Sequence, residues 1–282
     1  MGLAIMVFII VMSTLRINQH GYIKNFKKEL DSDLIWDEYE NFGRTLTSKE
    51  FSSLRIYNQK KKAIFIDIDV YRKHPFRLNE IRDNYQIYMP ISRNESIEWT
   101  KNLNSDINLS VVCDKNDNRI GCDIRTHRNY DYKTLNYKTF DIIKTICKNP
   151  RKHKVYMKMD FDIFIDKQYI NDVLSFMINN HKKRIYFGDP MANYNGKRKV
   201  AMNGKLYAIT DTLMNDLCNC KIKTTRPGLE DYWFGRVLHK CLDKKKDKQN
   251  SIVLFRSNEK LIIHKKLIEN SVKLQVGREI QT

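Results

Sequence analysis

Short apolar runs alternate with amphipathic segments along the chain from about residue 63 onward. The apolar runs predict strands at 63–70, 109–113, 155–160, 184–187 and 205–209. Apolar residues at helical spacing predict helices at 76–85, 132–147, 167–180, 211–217 and 229–241. Two further apolar runs follow at 252–255 and 261–264. Because strands and helices alternate without an evident linker, the pattern predicts one α/β domain over residues 61–282.

The first sixty residues differ from the rest. Gly2 to Leu15 form an uncharged, mostly apolar run that would span about 21 Å as a helix. That length suits a signal peptide or a minimal signal-anchor, predicted here as residues 1–17, and a buried N-terminal helix is the alternative. Basic residues follow the run, which is the reverse of the charge distribution expected for an anchor with a lumenal C-terminus. Residues 18–60 are predicted as a stem or peripheral segment.

The formal net charge of +18 comes from lysines and arginines spread along the whole sequence. Such a charge suits a polyanionic partner, but a nucleic-acid footprint is expected to cluster on one face or segment. No sequence motif that recognises RNA or DNA accompanies the charge. Nucleic acid is therefore not an expected partner, and a basic binding module without catalysis is kept as an alternative.

Six cysteines lie at positions 113, 122, 147, 218, 220 and 241. Their spacing lacks the paired arrangement of a zinc site, whereas in a secretory lumen they could form up to three disulfides. Cys113 and Cys122 flank a polar turn and are the simplest pair to join. The alternative is that all six are ordinary small core residues.

Two carboxylates one residue apart, Asp-x-Asp, occur at Asp31, Asp67 and Asp160. The third copy, Asp160-x-Asp162, directly follows a predicted strand and precedes another apolar run. Carboxylates at the end of a strand can hold a hard divalent cation such as Mn²⁺ or Mg²⁺. Enzymes that move a sugar from a nucleotide diphosphate need such an ion, because it neutralises the departing diphosphate.

Further motifs around this pair follow the order found in one family of sugar transferases. The matching segments are Arg77–Tyr85, Asp131–Thr139, Cys147, Lys158–Phe164, Tyr186–Gly188, Gly204–Thr210, Glu230–Gly235 and His264. Over roughly residues 63–264 the chain thus resembles the beta-1,3-galactosyltransferase family, which includes N-acetylglucosaminyl and fringe-type members.

The resemblance implies a GT-A type nucleotide-sugar transferase fold, a single α/β domain with a mixed central sheet. It implies a metal-dependent, inverting enzyme that moves galactose or an N-acetylhexosamine from a UDP-sugar to a hydroxyl of a glycan or glycoprotein, with a beta-1,3 linkage. The enzyme would act in the lumen of the ER or Golgi and would contact the membrane through its N-terminal apolar segment.

The resemblance also assigns roles to individual residues. It implies that Asp162 and Asp160 hold the metal and that His264 adds a nitrogen ligand, against the alternative of a hydrogen-bonded histidine at a strand end. The acceptor hydroxyl would lose its proton to Asp231, with Glu230 as orienting partner. Two acids at a helix start, where the helix dipole favours them, are the structural alternative.

Other residues are assigned to the two substrates. The nucleotide would be contacted by Asp160, Lys158, Arg77 and Arg82, and ordinary surface charge is the alternative for the two arginines. The acceptor would be contacted by Gly204, Tyr207 and Trp233, and core packing is the alternative for the aromatic residues.

Besides smaller differences at Tyr85 and Leu206, the chain departs from the family at two places that bear on metal and acceptor binding. Phe161 stands where the family has the middle aspartate of its metal motif. The basic stretch Gly196-Lys-Arg-Lys199 replaces the tyrosine- and proline-rich acceptor segment that precedes Gly204 in the family. These departures leave the identities of donor and acceptor open, and they are compatible with a decayed transferase that no longer catalyses.

Asp67-x-Asp69 supports an alternative enzyme class, because it resembles the nucleophile motif of haloacid-dehalogenase-type phosphatases. Asp67 would attack phosphorus and Asp69 would act as acid and base, with Mg²⁺ between them. Two positions do not match: Tyr71 stands where that class has Thr or Val, and Asn193 replaces an expected aspartate.

Overall fold

The fold is taken from a computed structural model of the chain. It describes residues 65–67, 77–149, 152–191, 201–223, 226–243, 252–258, 261–264, 268–269 and 272–273. The predicted targeting segment, the stem, Asp69 and the basic stretch at 196–199 lie outside these residues. Among the described helices, none has the length and apolar character needed to cross a bilayer.

The described residues form strands, helices and two short 3-10 helices. The strands are β1 (Phe65–Asp67), β2 (Tyr85–Pro90), β3 (Leu109–Cys113), β4 (Ile124–Arg125), β5 (Val155–Met159), β6 (Ile163–Ile165), β7 (Ile185–Met191), β8 (Ala201–Thr210), β9 (Val253–Arg256), β10 (Ile262–His264), β11 (Ile268–Glu269) and β12 (Val272–Lys273). The α-helices are α1 (Ile97–Leu103), α2 (Leu135–Lys148), α3 (Lys167–Asn179), α4 (Asp211–Cys218) and α5 (Glu230–Asp243). The 3-10 helices are Arg82–Asn84 and Tyr132–Thr134.

Eight of these strands form one central sheet in the order β1-β9-β7-β8-β5-β2-β3-β4. Strand β8 runs antiparallel to both its neighbours, β7 and β5, and the other pairs in the sheet are parallel. The expected α/β class with a mixed central sheet is confirmed. Two small antiparallel ribbons, β6–β10 and β11–β12, lie outside this sheet.

Helices cover both faces of the sheet, which explains why its inner strands are largely apolar. All residues of β2 and β5 are buried. Alternate residues of β5 enter two separate cores: Met157 packs with α3, around Phe176, and Tyr156 packs with α2, α4 and α5, around Leu238. The strand pleat therefore divides one apolar run between two layers.

The six cysteines form three disulfides, Cys113–Cys122, Cys147–Cys218 and Cys220–Cys241. The prediction that Cys113 and Cys122 are joined across the polar turn is confirmed. The other two bonds link α2 to the end of α4, and the segment after α4 to α5. One face of the sheet is thus covered by three covalently linked helices.

The helix predicted at 76–85 is wrong: a turn at 78–81 leads into the 3-10 helix Arg82–Asn84. Leu78 and Tyr85 are fully buried, so their spacing imitates the apolar face of a helix. Tyr85 is in fact extended and opens β2, where it pairs with Val155. Sheet pairing with a distant strand outweighs the local periodicity here.

Candidate functional site

The strand order creates a crevice between β2 and β5. After β2 the chain forms β3 and β4 on one side and then returns to form β5 on the other side of β2. In open α/β sheets, ligands bind at such a switch point, outside the carboxyl ends of the strands. Strand β5 ends at Met159, so Asp160-x-Asp162 lies at this position. The Asp160 backbone N–H donates to the Lys205 carbonyl on β8 at 2.8 Å, which fixes the start of the turn.

Lys158, on β5, is surrounded by acceptors. Its side chain is 6% exposed, and its Nζ lies 2.5 Å from Asp160 Oδ1, 2.7 Å from the Gly204 carbonyl oxygen and 3.2 Å from Glu230 Oε2. An ammonium group has three N–H donors. All three are therefore matched by acceptors in the protein.

Glu230, the first residue of α5, is buried and uses both carboxylate oxygens. Its Oε2 accepts from Lys158, and its Oε1 accepts from the Tyr207 hydroxyl at 2.5 Å. Tyr207 is held in place by Phe234, whose ring stacks on it with 4.5 Å between centroids. Lys158 and Glu230 are both buried in this network, whereas the Asp160 side chain is 29% exposed, so the two buried charges depend on each other and on their hydrogen-bond partners.

The pKa values follow from this burial and pairing. Burial alone would lower the pKa of Lys158, but the carboxylates of Asp160 and Glu230 outweigh it and raise that pKa. Burial raises the pKa of Asp160 to about 6, against the lowering effect of Lys158, and the charges of Glu230 and Asp162 add to the rise. Burial and the Glu230 carboxylate raise the pKa of Tyr207 well above its ordinary value.

Asp231 lies beside this network but is only partly buried. Its Oδ2 accepts a long hydrogen bond of 3.3 Å from the Gly204 N–H, and its Oδ1 accepts from the Tyr232 N–H at 2.8 Å. Burial raises its pKa, while these backbone hydrogen bonds act in the opposite direction. Gly204 approaches both acids closely: a Cβ there would lie 3.5 Å from Asp231 Oδ2 and from Glu230 Oε2. A partly accessible carboxylate with a raised pKa is suited to accept a proton.

Asp160 and Asp162, in the turn after β5, carry carboxylate oxygens, the type of ligand that a hard divalent cation prefers. Asp160 gives one oxygen to Lys158, which leaves its Oδ2 for a metal. Asp162 lies close enough for its charge to raise the pKa of Asp160. The antiparallel β6–β10 ribbon places His264 opposite Ile163, the residue after Asp162. The three predicted metal ligands thus come from neighbouring stretches of chain.

The structure separates Arg82 from this site. Tyr85 and Val155 are paired at the starts of the parallel strands β2 and β5, and Arg82 precedes Tyr85. Asp160 follows Val155 by five residues, about 16 Å along the sheet at 3.3 Å per residue. The prediction that Arg82 contacts the nucleotide does not fit a position at the opposite edge.

Arg77 also offers no sign of a nucleotide contact. Its guanidinium is exposed and lies 3.6 Å from Glu80, and its backbone N–H donates to Asn171. This matches the surface-charge alternative. The predicted contact between Lys158 and the nucleotide needs correction too, because the protein already provides an acceptor for each of its N–H donors.

The residues predicted to contact the glycan acceptor fall into two groups. Gly204 lies between Lys158 and Asp231 and belongs to the site. Tyr207 and Trp233 are 3% and 4% exposed, so neither ring presents a face on which a sugar could stack. Trp233 packs edge-on against Phe140, with 6.1 Å between centroids. Core packing, the alternative for both aromatic residues, describes them correctly.

The strand that carries Asp67 lies away from the crevice. Strand β1 is the outermost strand of the sheet and pairs with β9 alone within the described residues. Four strand spacings separate it from β5, about 19 Å at 4.8 Å each. Asp67 therefore does not lie at the switch point where ligands bind in such sheets, and the phosphatase alternative gains no support from the strand order.

Lys138 lies in the segment Asp131–Thr139 that resembles the transferase family, but the resemblance assigned it no role. It is buried on α2, and its Nζ lies 2.6 Å from the Ile91 carbonyl oxygen and 3.0 Å from Asp114 Oδ1. Burial lowers its pKa, against the opposing effect of Asp114. Because Ile91 follows β2 and Asp114 follows β3, Lys138 holds together the carboxyl ends of two strands beside the crevice. A lysine within an apolar helical face was the available signal.

No protein-family model matches this chain, and no curated protein matches it. Similar solved structures include 4-diphosphocytidyl-2C-methyl-D-erythritol synthase from Anaerococcus prevotii DSM 20548, with a TM-score of 0.37, 12% identity, and coverage of 68% of this chain and 93% of that chain. A glycosyltransferase involved in the glycosylation of the major capsid of PBCV-1 has a TM-score of 0.36 and 12% identity over 61% of this chain and 81% of that chain. At such low scores, neither similarity supports an inference about ligand or reaction.

Proposed function

We propose that this protein is a metal-dependent, inverting glycosyltransferase with a GT-A type fold. It transfers a hexose, galactose or an N-acetylhexosamine, from a UDP-sugar to a hydroxyl of a glycan or glycoprotein, with a beta-1,3 linkage. The observation that carries the proposal is the convergence of two acidic groups at one crevice. Asp160 and Asp231, from distant parts of the sequence, are joined there through Lys158 and Gly204.

Asp231 is the proposed general base. Burial raises the pKa of Asp231, which makes its ionised carboxylate a stronger base than an exposed aspartate, and its partial exposure leaves it open to an acceptor. In the transfer, the acceptor oxygen forms a bond to the anomeric carbon while the bond from that carbon to the diphosphate oxygen breaks. The hydroxyl proton passes to Asp231, and the electron pair of the broken bond leaves with UDP.

Asp162, Oδ2 of Asp160 and His264 are the proposed ligands of Mn²⁺ or Mg²⁺. When bound, such an ion supplies positive charge to the departing diphosphate. Glu230 orients the start of α5 through its two buried hydrogen bonds and thereby holds the neighbouring Asp231 in place.

We further propose that the protein works in the secretory pathway, in the ER or Golgi. The three disulfides support this, because disulfides persist in oxidising compartments and are rare in the cytosol of mesophiles. The apolar run Gly2 to Leu15 supports a signal or membrane anchor at the start of the chain.

The test is UDP release by the purified full chain. UDP-galactose, UDP-glucose and UDP-N-acetylhexosamines are offered with Mn²⁺, with and without candidate glycan acceptors, and wild type is compared with Asp162→Ala. Metal-dependent turnover of one donor, lost in the variant, is expected. Binding of UDP through Mn²⁺ without turnover of any donor would indicate a decayed transferase. Absence of both binding and turnover would refute the proposal, and phosphatase activity lost in Asp67→Asn would replace it.

A further inference from the structure

Lys158 contacts three separate parts of the site at once. Asp160 belongs to the turn after β5, Gly204 belongs to β8, and Glu230 begins α5. Gly204 also extends the connection, because its carbonyl accepts from Lys158 while its own N–H donates to Asp231. A single ammonium group thus has hydrogen-bonded paths to the proposed metal side and to the proposed base.

The burial of this group keeps it in place. Lys158 and Glu230 are 6% and 4% exposed at the side chain, so neither can exchange its partner for bulk water. Hydrogen bonds between charged groups are strengthened in such surroundings, and an unpaired member is costly. The Tyr207 hydroxyl occupies the other oxygen of Glu230, which prevents the carboxylate from turning away.

We propose that Lys158 is a positioning residue that holds the metal-binding turn and the base-bearing helix α5 in a fixed relative arrangement. This rests on the proposed function and extends it. Lys158 does not contact the nucleotide itself, because the protein satisfies its three donors. It acts on donor binding through Asp160 and on proton transfer through Gly204 and Glu230. One substitution at Lys158 therefore affects two steps that are otherwise served by different residues.

The test compares four purified full-length proteins: wild type, Lys158→Met, Tyr207→Phe and the control Lys101→Met. Lys101 lies on α1 in an exposed ion pair with Asp123, at 2.8 Å. Binding of UDP is titrated with and without Mn²⁺, and donor turnover gives kcat and KM. Near-UV circular dichroism and thermal unfolding show the temperatures at which each variant is folded.

Lys158→Met is expected to weaken Mn²⁺-dependent UDP binding and to lower kcat, each by about tenfold or more. Tyr207→Phe loosens Glu230 alone and is expected to lower kcat while changing UDP binding by less than about twofold, and Lys101→Met is expected to change neither. If folded Lys158→Met binds UDP with Mn²⁺ as wild type does, the positioning role is refuted.

If Lys158→Met does not fold, Glu230→Gln replaces it: linked sites predict at least a threefold change in Mn²⁺-dependent UDP binding, whereas separate sites predict none and would overturn the inference. If wild type itself binds no UDP in the presence of Mn²⁺, the proposed function fails, and this inference falls with it. Wild-type binding thus tests the function, and the variants test the positioning role.

Discussion

Asp172 offers a sharp test of the electrostatics within α3. Its side chain is buried, and both of its hydrogen bonds, from Gln168 at 3.1 Å and Asn171 at 3.2 Å, reach Oδ1. Its Oδ2 has no hydrogen-bond partner among the described residues. Burial raises the pKa of Asp172 to about 6, from an ordinary value of 3.8. The ionised carboxylate is thus buried with hydrogen bonds to one of its two oxygens, and Asp172→Asn removes its charge.

The expected change in the free energy of unfolding follows from the shift in the pKa of Asp172. About two pKa units correspond to about 3 kcal/mol between the two protonation states. Because the folded-state pKa lies above the unfolded one, the protonated group favours folding below pH 4, and this contribution is lost as the pH rises through about 6. Asparagine does not titrate. The difference in free energy of unfolding, Asp172→Asn minus wild type, should therefore increase by about 2–3 kcal/mol as the pH rises from 4 to 7.5.

The assay is urea denaturation of both proteins at pH 4, 5.5 and 7.5, with disulfides intact and the slopes compared. Asp123→Asn serves as the control, because Asp123 forms a surface ion pair with Lys101 and should change stability by less than about 1 kcal/mol at each pH. A difference between Asp172→Asn and wild type that stays constant across this pH range would refute the reasoning.

Three other predictions concern covalent links, backbone geometry and the reaction. Replacing Cys147 and Cys218 by alanine opens a link across 71 residues and should lower the free energy of unfolding by about 4 kcal/mol, measured by urea denaturation; no loss would contradict the loop-closure argument. Gly188→Ala should cost about 2–3 kcal/mol in the same assay, because φ is +156° there and a Cβ would lie 2.6 Å from the Cβ of Met202. Asp231→Asn should lower kcat by at least about a hundredfold with UDP binding retained. In wild type the rate should rise with pH as Asp231 ionises, and burial raises the pKa at which this happens; a flat pH profile would exclude Asp231 as the base.

Several features of the site were available from local sequence. Asp160 follows an apolar run that becomes β5, and Glu230 and Asp231 open an amphipathic segment that becomes α5. Both patterns depend on neighbours within a few residues, where strand and helix periodicity act. The pairing of Cys113 with Cys122 was foreseeable for the same reason, since only a short turn separates them.

The predictions from sequence were wrong where contacts with distant segments determine the local structure. The helix predicted at 76–85 shows this, because Tyr85 enters a strand only through its pairing with Val155. The burial of Trp233 is a similar case, since adjacent aromatic residues have the same local pattern whether their rings face a sugar or a core. The local sequence does not show which distant segment it will pack against.

The α/β class, the acidic pair after a strand and the acids at the start of a late helix can all be read from the sequence, because short-range periodicity and spacing encode them. The strand order that brings the carboxyl ends of β2 and β5 together became visible in the folded chain and not before. The same holds for Lys158, which joins Asp160 to Glu230, 72 residues from the lysine. Such contacts are set by long-range packing of the whole chain, in which a buried charge settles where several elements together supply its partners.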